Sequence, residues 1–320
     1  MPPAPDFGPI EKYRTSVVIV VALAGGALGW VIIFFGYWPN LLFAWTALNK
    51  HFARDPRFLF WLFLQVIQVA AWPIMFIIVT ARIREIGAYS KGNYGEIALS
   101  ALLFSLAALA VALVGVFAPT LPGWLPGYEA KLTLLSVLAV AVGLTAAIGL
   151  WLCQGALRKL LEQVTAANKA RKQELDRLLH LKDSLALFLL VLGTLLSLAI
   201  FAASAERRAV AVYGHRTKRH FSIEHVFPTN YIFLYGLLFS ILIALAYAPA
   251  HITFQAAGRK LRDTIVPMLE PGDPGWQARL TERKSFEDLL ELQVTTAANL
   301  RVGIAALSPL LASVTGLLSG

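Results

Sequence analysis

Four polar side chains stand where charge is otherwise missing: Gln65, Gln68, Gln154 and His251. Gln65 and Gln68 are three positions apart, which puts both amides on one face of a helix. Each amide offers two donors and an acceptor, so such a face can line a path or hold a ligand. The same amides can instead bond across a helix contact, where lipid offers no competing water. Pro73 lies just beyond; it removes a backbone N–H and frees the carbonyl four residues earlier. A kink beside a polar pair suits a pore or a gate. His251, after Tyr247 and Pro249, has the chemistry of a hydrogen-bonded edge residue or of a pH-sensitive site. Gly25 and Gly29 form a GxxxG pair with Ala22 and Gly26 beside them. Small residues at that spacing let two helix backbones approach, within one bundle or between two copies.

Other chemistry finds little support. The chain has no P-loop, GxSxG, HExxH or CxxC. No aspartate falls inside a charge-free stretch, which removes an intramembrane aspartate pair, and no histidine lies deep enough to activate a membrane serine. Glu85, Glu96, Asp263 and His251 remain for an interfacial enzyme, and nothing singles them out. His215, His220 and His225 recur every five residues beside Glu224, a spacing that gathers ligands on neither a helix nor a strand. No catalytic, cofactor or metal residue is therefore assigned. Cys153 is the single cysteine, so no internal disulfide can form, and its apolar setting reads as a quiet buried thiol.

The elements that must position these residues are apolar helices. Six stretches of 22 or more residues carry no Asp, Glu, Lys or Arg. A hydrocarbon slab of roughly 30 Å needs about 20 apolar residues of helix. The spacing predicts spans at 15–38, 58–81, 97–118, 132–157, 184–205 and 229–254. A barrel would need shorter alternating segments, which are absent. Composition agrees: 58% of the 320 residues are hydrophobic and 15% charged, well off the balance of a soluble domain. Lys12 and Arg14 before the first apolar run resemble a signal peptide, but Trp38-Pro39-Asn40 is no small-residue cleavage site, so a retained helix is expected.

The net charge of +9 reads as basic collars facing anionic lipid, not as a nucleic-acid surface, since no basic stretch alternates with aromatics. With the N-terminus inside, the inner segments hold 19 Lys and Arg and the outer ones 9. This places both ends of the six-span bundle in the cytoplasm. The loop 206–228, with Arg207, Arg208, Arg216, Lys218 and Arg219, resists that assignment. Its Ala209–Tyr213 and His220–Ile223 flank a turn-like stretch and read as a β-hairpin or an irregular loop.

The expected fold is all-α: a polytopic membrane bundle of six transmembrane helices with a C-terminal amphipathic and apolar segment. It divides into a four-span half (1–157), a cytoplasmic helical connector (158–183), a two-span half (184–258) and a tail (259–320). The connector lacks Pro and Gly and is rich in helix formers, so the fourth and fifth spans extend and turn near Asn168, or a partner surface forms there. In the tail, Ser285 to Asp288 reads as a helix-start cap for an amphipathic helix over 286–300. The apolar run 302–320 reads as a re-entrant or packed segment, with a seventh span as the other reading. No repeat links the two halves, which leaves an inverted-repeat transporter unsupported.

Three functions remain open at this level. The first is a non-enzymatic module of a bacterial inner membrane that docks a cytoplasmic protein or a second copy through its helical connector and tail. The second is a channel or uncoupled transporter with Gln65 and Gln68 on the path. The third is an enzyme on a lipid-like substrate. The lipid bilayer is the one partner common to all three, and nucleic acid is excluded.

Overall fold

The computed structural model describes residues 15–34, 55–87, 128–167, 172–216, 227–270, 272–292 and 307–314. Among them the chain forms helices and no strand: α1 (Thr15–Phe34), α2 (Pro56–Gly87), α3 (Tyr128–Ala167), α4 (Lys172–Arg216), α5 (Thr229–Ile265) and α6 (Trp276–Leu290). A short helical segment follows at 307–314. Four of these, α2 to α5, are long and apolar enough to cross a membrane. The apolar α1 matches the start of the first expected span. The third expected span, 97–118, lies outside the described residues.

Large apolar side chains face outward along the bundle. On α5, Tyr231, Phe233, Leu237, Ile241, Leu245 and Ile252 are exposed. That row is about 32 Å long at 1.5 Å per residue, close to the thickness of a hydrocarbon core. Leu59, Phe63, Ile67 and Phe76 continue it on α2. A soluble monomer rarely leaves so large an apolar band in water.

The helices overrun that band at one end and close it with a cap. α3 continues to Ala167 and α4 begins at Lys172, so the connector is two helical arms. The apolar side chains of these arms are spent on the fold: Leu157, Leu160, Val164, Leu178 and Leu181 are all fully buried. Beyond the lipid this burial is driven by water, at about 1.5–3 kcal/mol per large side chain. α2 ends beside the cap, where Arg82 and Glu85 meet His180 of α4. α6 folds back onto α5 and α4. Arg262 pairs with Asp263 and Glu287, Arg283 pairs with Asp263, and Lys182 reaches Glu291.

Several local expectations are corrected. Ala209–Tyr213 belongs to α4, not to a β-hairpin or an irregular loop, because that helix runs on past the fifth expected span to Arg216. The tail helix begins at Trp276, after Gly275 at φ 91°, so Ser285 is not its cap. The Ser285 hydroxyl instead donates to the Thr281 carbonyl one turn back. The helix also stops at Leu290 and does not run to 300. Glu291 turns left-handed at φ 53°, and the Leu292 N–H closes onto the Glu287 carbonyl at 2.9 Å, a C-terminal capping pattern.

The tail also packs along α5. Leu292 fills the space beside Gly258, and Leu310 N donates to Ser240 Oγ. Pro309 and Ser313 lie against Gly236. The segment 307–314 therefore packs on the half of α5 remote from the cap; residues 293–306 lie outside the described set.

Candidate functional site

α2 owes its polar column to spacing. Phe58, Trp61, Gln65, Gln68, Trp72, Met75 and Val79 recur at steps of three and four, and all are buried. Both sequence-singled amides thus lie on the face of α2 that meets the rest of the bundle, and not on the lipid face. Trp72 extends the column; its indole N–H is buried with no hydrogen-bond partner among the described residues.

The opposite wall is α4, which runs antiparallel to α2. Two contacts set that register: His180 lies by Arg82 near the cap, and Glu206 lies by Trp61 near the other end. Glu206 is only 5% exposed. No Lys or Arg pairs with it among the described residues. Arg207 turns away, its Nε donating to the Phe227 carbonyl at 3.0 Å, and Arg57 of α2 is exposed. Of the residues within one turn of Glu206 on α4, Ala202, Ala205 and Ala209 are small and buried, and Val210 is buried with them. Sequence reasoning missed this acid because the charge-free fifth stretch stops at Ala205. The signal was present in the run Ala202-Ala203-Ser204-Ala205-Glu206, where small residues leave the helix surface open to close packing around an acid.

The remaining sequence-singled residues fall elsewhere. Gly25 and Gly29 of α1 lie on α2. A Cβ at Gly25 would stand 3.0 Å from the Val69 carbonyl oxygen, and one at Gly29 would stand 2.8 Å from Val69 Cβ. Pro73 explains the first contact. Having no N–H, it leaves the Val69 carbonyl without its helical donor, and Gly25 brings a Cα–H to that oxygen. Pro73 itself also lines the α1 contact, with its Cγ 3.2 Å from the Gly25 position.

His251 sits in a ladder on α5. Its Nδ1 lies 3.2 Å from the Tyr247 hydroxyl and its Nε2 lies 3.0 Å from Gln255 Nε2. Both ring nitrogens are engaged within one helix, and no nucleophile stands near them among these contacts. Cys153 is a free, fully buried thiol in the α3 core. His215 lies at the end of α4, His220 and His225 lie outside the described residues, and no three metal-ligating side chains cluster among the described residues.

The cap holds the other concentration of charge. His180 is pushed below its ordinary range by burial and by the Arg82 cation, against the opposing pull of Glu85 and Asp183. Burial works against the charge on Asp263, yet its hydrogen bonds to Arg262 and Arg283 hold the carboxyl below the usual range. These groups clamp helices together; none faces a cleft with a nucleophile.

Among the described residues, the geometry offers an interior polar column and an ion-paired cap. Comparison with protein-family models, curated proteins and solved structures finds no match for this chain, so membrane embedding rests on its own apolar helices.

Proposed function

We propose that this is a non-enzymatic multi-pass protein of a bacterial inner membrane whose α2/α4 polar column binds a solute and lets it pass without coupling to an ion gradient. The observation that carries this is the placement of Gln65 and Gln68, both buried, on the inward face of α2, with Glu206 at one end of the column. Burying amides and an acid among apolar helices costs several kcal/mol unless they acquire partners. A column of such groups within one seam offers hydrogen-bonding surface to a ligand as well as to a neighbouring helix.

A count of six spans would fit the reading; α2 to α5 are long and apolar enough to cross a membrane. α2 ends at the cap, and α3 also ends there, so α3 starts at the far end. The sequence between Gly87 and Tyr128 contains the charge-free stretch 97–118, which is long enough for one more crossing. The basic residues gathered at the cap favour its cytoplasmic placement, with the N-terminus on the same side. Flux into proteoliposomes is the test. Gln65→Leu with Gln68→Leu should lower solute flux at least tenfold while the protein stays folded; unchanged flux removes the column as the path.

A second reading is favoured by the cap. Its helical arms and clasped α6 present an outer face of Glu162, Gln163, Asp176 and Lys172 to the cytoplasm, a surface suited to a protein partner or a second copy. Light scattering on nanodisc samples checks it: removal of 276–320 should lower the mass of any assembly, and an unchanged mass counts against docking through the tail.

A further inference from the structure

The column in α2 and α4 ends in a group that passage of a neutral solute does not require. Glu206 is an acid in a buried seam, with no cation paired to it among the described residues. Its surroundings limit what could neutralise it. A divalent metal needs about six oxygen ligands gathered on one point. Among the described residues, one carboxylate and two amides are strung along about 10 Å of helix, counting from Trp61 to Gln68 at 1.5 Å per residue. That spread cannot surround a small, strongly hydrated ion. It does fit a larger and more weakly hydrated charge.

The other wall chemistry points to the same class. The Trp61 indole lies beside the Glu206 carboxyl, and Trp72 closes the column at its deeper end with an N–H unpartnered among the described residues. Indole faces attract organic cations through the ring quadrupole, and the attraction grows when water is excluded. The amide oxygens of Gln65 and Gln68 can accept from an ammonium N–H. On α4, Ala202 one turn before Glu206 and Ala205 next to it are small and buried.

We propose that Glu206, Trp61, Gln65 and Gln68 form a binding site for a singly charged organic cation, an alkylammonium carrying an apolar substituent. Glu206 supplies the counter-charge, Trp61 the aromatic wall, and the two glutamines the deeper hydrogen-bonding surface. The site rests on the column reading above and names its substrate class; it requires binding, whether or not passage follows.

The test uses the full chain in nanodiscs of zwitterionic lipid, with benzylammonium and benzyltrimethylammonium as probes. Calorimetry and tryptophan emission should both report saturable binding at one site per chain. Glu206→Gln, nearly equal in shape, should weaken binding at least tenfold, and Glu206→Asp less so. Trp61→Leu should also weaken it, while Trp276→Phe in the cap should leave it unchanged. Absence of saturable binding at millimolar probe overturns the site. So does a Glu206→Gln protein that binds as well as the unsubstituted chain, which would make Glu206 a neutral structural acid. If Glu206→Gln fails to fold, Glu206→Asp and Trp61→Leu decide, and undiminished binding in both overturns it. Binding without flux in proteoliposomes leaves the site and removes the passage reading. Flux of neutral solutes that depends on the glutamines but not on Glu206, with no cation bound, does the reverse.

Discussion

At the level of single residues, the α1/α2 contact shows how one substitution can be felt by two helices. Gly29 has no room for a side chain, since the Val69 Cβ would lie 2.8 Å from an added Cβ. Gly26, one position from Gly25, is different: its added Cβ would meet Ala70 at an ordinary 3.7 Å. Gly29→Leu should therefore destabilise the bundle by about 1–3 kcal/mol through overpacking, while Gly26→Ala should be near neutral. Thermal unfolding in detergent, followed by helix content, checks both; a stable Gly29→Leu protein would mean α1 is free to move off α2. Spacing alone made Gly25 and Gly29 a packing pair, but it could not choose between a second copy and a neighbour in the same chain. That choice needed the position of Val69, forty residues away in sequence.

Among the elements, the cap joins α2, α3, α4, α5 and α6 by charge as well as by apolar contact. His180 lies below its ordinary range in the folded chain. Near neutral pH both the folded and unfolded forms of such a group are uncharged. As pH falls through the ordinary histidine value of about 6.5, the unfolded chain takes up the proton first. Stability should therefore fall on acidification from about pH 7 to 5.5, and the slope should flatten in His180→Gln. Chemical denaturation of the detergent-solubilised protein over that range measures it, and an unchanged slope in the variant would remove His180 as the cause. The ion pairs of α6 give a second prediction. Arg262 holds Glu287 of α6 and Asp263 of its own helix. Arg262→Met should leave Glu287 without its main cation and loosen α6 by about 1–2 kcal/mol. Hydrogen exchange over 276–290 should rise at least fivefold, with little change in α3.

For the whole molecule, the direction of each helix sets a testable topology. α2, α3 and α5 run toward the cap, while α1 and α4 run away from it. Cysteines at Leu280 and Asp176 should react with a membrane-impermeant maleimide from one side only, the same side for both. A cysteine at Arg208 should be labelled from the other side or not at all. Labelling of Leu280 and Asp176 from opposite faces would break the single cap.

Charge-free length was enough to predict apolar helices long enough to cross lipid, four of which the structure shows, because an unsatisfied backbone inside hydrocarbon leaves a helix as the cheapest form for such a stretch. Composition also foretold the extended arms of the connector, whose leucines repeat at helical spacing over 158–183. Those signals are local, carried by neighbours within a few turns. The placement of Glu206 beside Trp61, the return of 307–314 to Gly236 and Ser240, and the start of α6 at Trp276 are not local. Each depends on which helix faces which, and lipid tails are as apolar as leucine, so hydrophobicity along the chain cannot rank those pairings. Close fit and buried polar contacts do, and they exist only once the helices are assembled.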